Sequence, residues 1–196
     1  MYKTEILHLN KEEQGYLIGF FFGDGCLYKD KWRHYKINFY LNPKKDNDIE
    51  KFLHSLLKKA EFKYYTMKNH GCNIVRLNSK HLYNYLLKIK EHVNEITDNR
   101  FWIGCISGLI DSDGYVCNGE IVISNKDKEL LELIESKANL FNVKTNLWMQ
   151  HTRLNNKIYE IWRLRIGTSF KYEEQYSRKI RRFYGGDFSP ATHHSE

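Results

Sequence analysis

Two hydrophobic periods run through this chain, and the points where one gives way to the other mark its elements. Residues 34–41, HYKINFYL, alternate: Ile37, Phe39 and Leu41 fall on one side of a strand, Lys36, Asn38 and Tyr40 on the other. The turn-rich DKWR joins this run to CLYKD before it. The period then lengthens. Over about Asp46–Glu61, Ile49, Phe52, Leu53, Leu56 and Leu57 recur at helical spacing, and KKDND at 44–48 reads as the helix start. Strand-like KYYTMK and NIVRLN follow around the turn NHGC, and a helix is predicted over about Lys80–Val93. The second half repeats this order: GYVC, EIVIS, a helix near Lys126–Leu140, KTNLWMQ, IYEIWRLRI and a last helix near Ser169–Phe183. The tail GGDFSPATHHSE reads as a frayed end.

Two stretches fit neither alternation nor a one-sided helix. GYLIGFFFGDG (15–25) and GCISGLIDSDG (104–114) are apolar nearly all round, then end on an aspartate. Gly15, Gly19, Gly23, Asp24 and Gly25 recur as Gly104, Gly108, Ser112, Asp113 and Gly114, each 89 positions on. Two copies are too few for a solenoid and predict a duplicated half-domain, divided as 1–98 and 99–196. The small residues fall at i, i+4 and i+8, one stripe along a helix that must be buried. Such a stripe lets two helix backbones approach closely, so the two helices are expected to pack together on a pseudo-twofold axis. Two separate core helices with incidental glycines are the competing reading.

Packed in that way, Asp24 and Asp113 sit side by side at helix C-termini, facing unpaired carbonyls and the negative end of each dipole. Carboxylates sharing such a place repel each other, and a hard divalent cation with oxygen ligands would supply the missing charge. The helices are then a mount and the aspartates a metal site. Asp111 has no counterpart in the first copy, where Phe22 stands, and an outer, structural role is expected for it.

Composition adds limits. The 196 residues are 41% hydrophobic and 28% charged, enough for a real core and a soluble surface. The net charge of +7 favours an acidic partner, nucleic acid or an anionic membrane. The four cysteines form no C-x-x-C pair and the nine histidines no H-E-x-x-H, so zinc has little support and the thiols read as reduced and mostly buried. MYKTEILHLNKEEQ carries acids where a secretory signal would not, and the apolar run after it is too short to span a bilayer. An intracellular location, with no membrane association, is expected.

LIGFFFGDG and ISGLIDSDG resemble the paired motifs of the LAGLIDADG homing endonucleases in their single-chain, two-repeat form. The second copy matches at Gly108, Leu109, Ile110, Asp111, Asp113 and Gly114; the first departs at Phe20–Phe21–Phe22. The resemblance implies an α+β fold: a pseudo-twofold duplicated αββαββα unit, a central helix pair, and two antiparallel sheets forming a saddle for DNA. It implies a monomer that cleaves a long, asymmetric double-stranded DNA site, needs no protein partner, cuts across the minor groove and leaves 3′ overhangs. Asp24 and Asp113 would be the catalytic, metal-binding acids, with the carbonyls of Gly23 and Ser112 as further ligands for Mg²⁺, or for Mn²⁺ or Ca²⁺ in the same place. Asn42, Asn125 and Lys126, at strand ends near the aspartates, are candidates for organising water and phosphate.

The strands carry the remaining candidates. Arg76 and Asn78 alternate with Val75 and Leu77; Arg163 and Arg165 with Trp162, Leu164 and Ile166; Asn146, Trp148 and Gln150 with Leu147 and Met149. Together with Arg33, Lys36, Asn38 and Tyr40 these outward residues are the types that meet base edges and phosphates in a major groove. Arg76 and Arg165 are again 89 apart. A merely solvated sheet face is the alternative for any one strand. SRKIRR (177–182) is either the basic end of a helix or an extra phosphate contact. An RNA-binding maturase and a catalytically silent DNA-binding regulator remain open on the same fold; the retained carboxylates argue against the second.

Overall fold

The computed structural model describes residues 5–154, 157–172 and 176–184; the tail read as frayed lies outside them. The long buried helix α1 spans Lys11–Asp24 and is followed by β1 (Gly25–Lys29), β2 (Tyr35–Leu41), α2 (Asn47–Lys59), β3 (Tyr64–Asn69), β4 (Cys72–Asn78) and α3 (Lys80–His92). The second half runs α4 (Asn99–Asp113), β5 (Gly114–Cys117), β6 (Glu120–Asn125), α5 (Lys128–Asn139), β7 (Thr145–Leu154), β8 (Lys157–Ile166) and α6 (Arg178–Tyr184). Each half holds one antiparallel sheet, in the orders β1-β2-β4-β3 and β5-β6-β8-β7. Among the described residues no helix is long and apolar enough to cross a membrane.

Local chemistry starts the two central helices. Asn10 and Glu13 exchange side chain-to-backbone bonds of 2.8 and 2.9 Å, a capping box at the head of α1. Asp98 caps α4, its carboxylate accepting from the N–H groups of Arg100 and Phe101. From there the glycine stripe governs. A Cβ on Gly19 would fall inside the Cys105 carbonyl, and one on Gly108 inside that of Tyr16. Gly15 meets Phe101 and Gly104 meets Glu12 in the same way. Residues 12, 15, 16 and 19 map onto 101, 104, 105 and 108 by the 89-residue offset, so the contacts are reciprocal, as a pseudo-twofold axis requires. Around the axis Tyr16, Leu17, Ile18, Phe20, Phe21, Trp102, Cys105, Ile106, Leu109 and Ile110 are all buried.

Sheet registers place one face of each sheet on this core. Ile37, Phe39, Leu41, Val75, Leu77, Leu164 and Ile166 point inward and are buried, as their alternation predicts. The short hairpins turn through His70–Gly71 and Asn118–Gly119, with positive φ at all four residues, the pairing that matches strand twist in a two-residue turn.

Three expectations change. Of the four thiols expected to be mostly buried, Cys26 and Cys117 are exposed, Cys72 is half-buried and Cys105 is buried. Met149, expected inward, is 38% exposed. The registers put it at the rim: Met149 pairs with Trp162, opposite Asn125, the last residue of β6, and from there β7 and β8 run on as a pair alone. The last helix is not continuous over Ser169–Phe183. A 3-10 turn covers Thr168–Tyr172, residues 173–175 lie outside the described set, and α6 starts afresh after Ser177.

Candidate metal centre and nucleic-acid interface

The two stripes end in the same place. A Cβ on Gly23 would overlap the Ser112 side chain and lie 3.1 Å from Asp113 Cγ, so the C-terminal turns of α1 and α4 touch where the aspartates stand. Both acids are only partly exposed. Burial raises the Asp113 carboxyl to about 6, opposed by the Asn125 amide and the Lys179 ammonium. Asp24 is raised further, to about 7, by burial and then by the charge on Asp113, with Lys179 pulling the other way. The order follows from the partners. Asn125 Nδ2 donates to Asp113 Oδ2 and helps it ionise first, and Asp24 then titrates against that charge.

These residues fit a divalent cation. Two half-buried carboxylates that resist ionising together, beside helix-end carbonyls, are an oxygen donor set short of positive charge. Among the described residues no three His, Cys, Asp or Glu side chains gather as a metal cluster. The protein would therefore contribute the two carboxylates and carbonyls, leaving other positions to water and substrate oxygens.

The other candidates are placed unequally. Asn42 lines an open cavity of about 810 Å³, shared with Lys44, Lys45, Asp46, Gly114 and Lys179; neither Asp24 nor Asp113 is among its lining residues. Its Oδ1 accepts from the Lys44 N–H at 3.0 Å, and its own N–H donates to Asp46 at 2.8 Å. The Lys126 amine lies 5.5 Å from the Tyr159 ring centroid, on β8. The Ser112 carbonyl already accepts from Lys179 Nζ at 3.0 Å.

Lys179 and Asp111 are what the sequence reading missed. Asp111 is not outer: it is 2% exposed. It accepts from Tyr16 Oη and Ser177 Oγ, both at 2.7 Å, and from the Arg178 and Lys179 N–H groups at 2.8 and 3.0 Å. That carboxylate holds the start of α6 against both central helices. Burial raises its pKa, and those four donors oppose the rise. Anchored there, Lys179 turns its amine onto the carbonyls of Ser112 (3.0 Å) and Gly114 (2.8 Å). Burial lowers the Lys179 pKa, and Asp111, Asp46 and Asp24 counter that. A signal existed in the sequence. An acid with no counterpart in the first repeat, inside an otherwise buried helix, needs hydrogen-bond donors from other elements packed against it.

On the outer sheet faces, Asn78, Asn146, Gln150 and Arg165 are exposed, Tyr40 is 37% exposed, and Arg33 sits at a positive-φ turn position. Lys36 is tied to Asp30 at 3.0 Å. Trp148 lies under the Arg165 guanidinium, 5.9 Å from its ring centroid. Arg163 is half-buried, and its Nε has no hydrogen-bond partner among the described residues. Asn38 departs from expectation: it is on the outer face by register yet only 5% exposed, its Oδ1 accepting from Arg76 Nε at 2.7 Å.

This architecture, two sheets astride a glycine-packed helix pair that presents two acids, defines a duplicated LAGLIDADG module. Residues 101–184 match the LAGLIDADG-like domain. That match covers the second half of the chain, and the first half repeats the same order of elements and the same sheet topology. It is 27% identical over 158 residues to the homing endonuclease I-DmoI of Desulfurococcus mucosus, covering 75% of this chain and 81% of that protein. An uncharacterized protein of Methanocaldococcus jannaschii is also 27% identical, over 153 residues, 74% of this chain and 55% of its own length. The match thus spans about half of that relative. The crystal structure of I-DmoI in complex with DNA and Ca superposes with a TM-score of 0.67 at 23% identity, covering 89% of this chain and 88% of that one. Other I-DmoI complexes with target DNA were solved in the presence of Mn or Mg.

Proposed function

We propose that this protein is a site-specific homing endonuclease that hydrolyses both strands of a long, asymmetric double-stranded DNA target as a monomer. The single observation that carries the reading is the meeting of Asp24 and Asp113 at the ends of packed helices, midway between two sheets with polar outer faces. Half-domains 1–98 and 99–196 would each take one half-site, and the net charge of +7 supplies the general attraction to a polyanion.

Asp24 and Asp113, with the carbonyls of Gly23 and Ser112, would hold Mg²⁺ or a similar divalent cation, which supplies Lewis acidity toward phosphate and water. The chain does the rest. Asn125 orients Asp113 by its amide donor. Lys179 places a positive charge beside the carboxylates, where negative charge on a pentacovalent phosphate would grow. Asn42, Lys44 and Lys45 line the cavity on the first-half side, suited to a backbone phosphate. Sheet side chains fix the register of the duplex, so that the scissile bonds fall over the acids. Cutting across the minor groove with 3′ overhangs goes with this reading of the family.

The test is incubation of the purified chain with Mg²⁺ and a plasmid library, followed by sequencing of any ends. Double-strand breaks at one site, with 3′ overhangs, are expected. Tight binding of a structured intron RNA with no DNA cut would identify a maturase instead.

A further inference from the structure

The two halves carry the same arginine in different settings. Arg76 pairs across β4 with Asn38 of β2 and Tyr65 of β3; Arg165 pairs across β8 with Val122 of β6 and Asn146 of β7. Asn38 and Val122 therefore hold equivalent places beneath equivalent arginines, and both are buried, at 5% and 2% exposure. The valine offers Arg165 no acceptor. The asparagine takes Arg76 Nε at 2.7 Å.

This difference decides which edge of each guanidinium is free. With Nε engaged, the edge of Arg76 left to match O6 and N7 of guanine is its pair of terminal nitrogens. Arg165 has no such buttress. Its Nη1 lies 3.4 Å from Glu120 Oε1, so part of its fork faces a carboxylate, and its plane lies over Trp148. To read a base it must exchange Glu120 and fix its own side-chain rotamers, and both costs fall on specific binding.

We propose that Asn38 is a positioning residue that pre-orients Arg76 for guanine, so that the first half of the protein discriminates its base pair more sharply than the second does through Arg165. The proposal rests on the reading of the protein as a binder of double-stranded DNA. It converts Asn38 from a reader of bases into the support of one.

The experiment is a reciprocal exchange, Asn38→Val and Val122→Asn, in the full chain, with binding measured across all single-base variants of its target at fixed salt. Asn38→Val is expected to flatten guanine preference at one position of the first half-site by roughly five- to a hundredfold, the worth of one bidentate arginine–guanine contact. The salt dependence should not change. Val122→Asn is expected to sharpen preference at the corresponding position of the other half-site. Asn38→Asp, which keeps the acceptor, should retain the preference, and thermal melts report whether each variant folds. If Asn38→Val weakens every sequence alike, or if Arg76→Ala leaves the first half-site profile unchanged, the positioning role is wrong while DNA binding stands. If the unsubstituted chain binds no double-stranded DNA, the functional reading fails and this inference with it.

Discussion

The amine of Lys179 lies 3.0 Å from the carbonyl of Ser112, the last residue before Asp113, although the two are 67 positions apart in the chain. One cation thus reaches the carboxylate pair from the second half alone. Lys90, the residue 89 positions earlier, is exposed, with its amine 5.5 Å from the Phe21 ring centroid. The site is built on a pseudo-twofold axis and charged without one.

Removing that charge should move a pH profile as well as a rate. Lys179 lowers the pKa of both Asp24 and Asp113, so Lys179→Met leaves the two acids harder to ionise. The acidic limb of the cleavage–pH curve should shift to higher pH, and the plateau rate should fall. Lys179→Arg should restore the limb more than the plateau, because a planar fork replaces a point charge. An unshifted limb in Lys179→Met would show that the amine does not act on the carboxylates.

The carboxylate pair also makes stability depend on pH. Both acids have folded pKa values, about 7 and about 6, above the unfolded value of 3.8. The folded state then holds more protons than the unfolded one between these limits, so these groups lose stability as pH rises from about 4 to about 7. The metal-free protein should melt lower at pH 8 than at pH 5 on their account. Asp24→Asn should remove much of that slope while abolishing cleavage and preserving DNA binding, and Asp113→Asn should do the same. Added Mg²⁺ should stabilise the parent more at pH 8 than at pH 5, because cation and protons compete for the same oxygens. Thermal melts of parent and variants across pH, with and without Mg²⁺, check each sign.

Much of this was readable in the chain, and particular residues explain which parts were not. The alternation through Ile37, Phe39 and Leu41, the stripe through Gly15, Gly19 and Gly23, and the 89-residue offset rest on local spacing, and spacing survives folding. Met149 follows the same alternation, yet it lies in the last row that β6 covers, opposite Trp162 and Asn125, and where a neighbouring strand ends is not written in a single strand. Asn38 reads as outward by parity; its burial comes from Arg76, 38 residues away. Lys179 was visible only as one of a basic run. Its direction depends on Asp111, 68 residues before it. Long-range polar bonds of this kind obey no period, so pattern alone does not find them.

Asp111 should behave as a structural tie rather than a catalytic acid. Four donors converge on it from Tyr16, Ser177, Arg178 and Lys179. Asp111→Ala removes the acceptor shared by two hydroxyls and two N–H groups, and a buried donor left unsatisfied costs about 1–3 kcal/mol. Asp111→Asn keeps the shape and part of the bonding, and should cost less. Because α6 carries Lys179, even a folded Asp111→Asn protein should show the raised acidic limb expected of Lys179→Met. Hydrogen exchange should find the amides of residues 178–184 losing protection first. Equal protection in the variant and the parent would show that something else anchors α6.

Asp24 and Asp113 directly follow Gly23 and Ser112, the last positions of the small-residue stripe, so the packing of the stripe bears on their spacing. A Cβ at Gly19 meets the backbone of Cys105, and one at Gly108 meets that of Tyr16, so no side-chain rotation can make room. The helices must part. Overpacking of this kind costs typically about 1–3 kcal/mol, which in a chain of this size lowers the melting temperature by very roughly 2–12 °C. The two substitutions occupy equivalent places on the pseudo-twofold axis, so Gly19→Ala and Gly108→Ala should cost similar amounts. The functional loss should exceed the structural one. Widening the helix pair separates Asp24 from Asp113 directly, whereas each sheet moves with its own half and keeps its own face. Cleavage should therefore fall far more than the affinity of either half for its half-site, measured on isolated half-site duplexes at a temperature where the variants are fully folded. If cleavage falls only in proportion to the folded fraction, the close packing serves stability alone and the spacing of the acids does not depend on it.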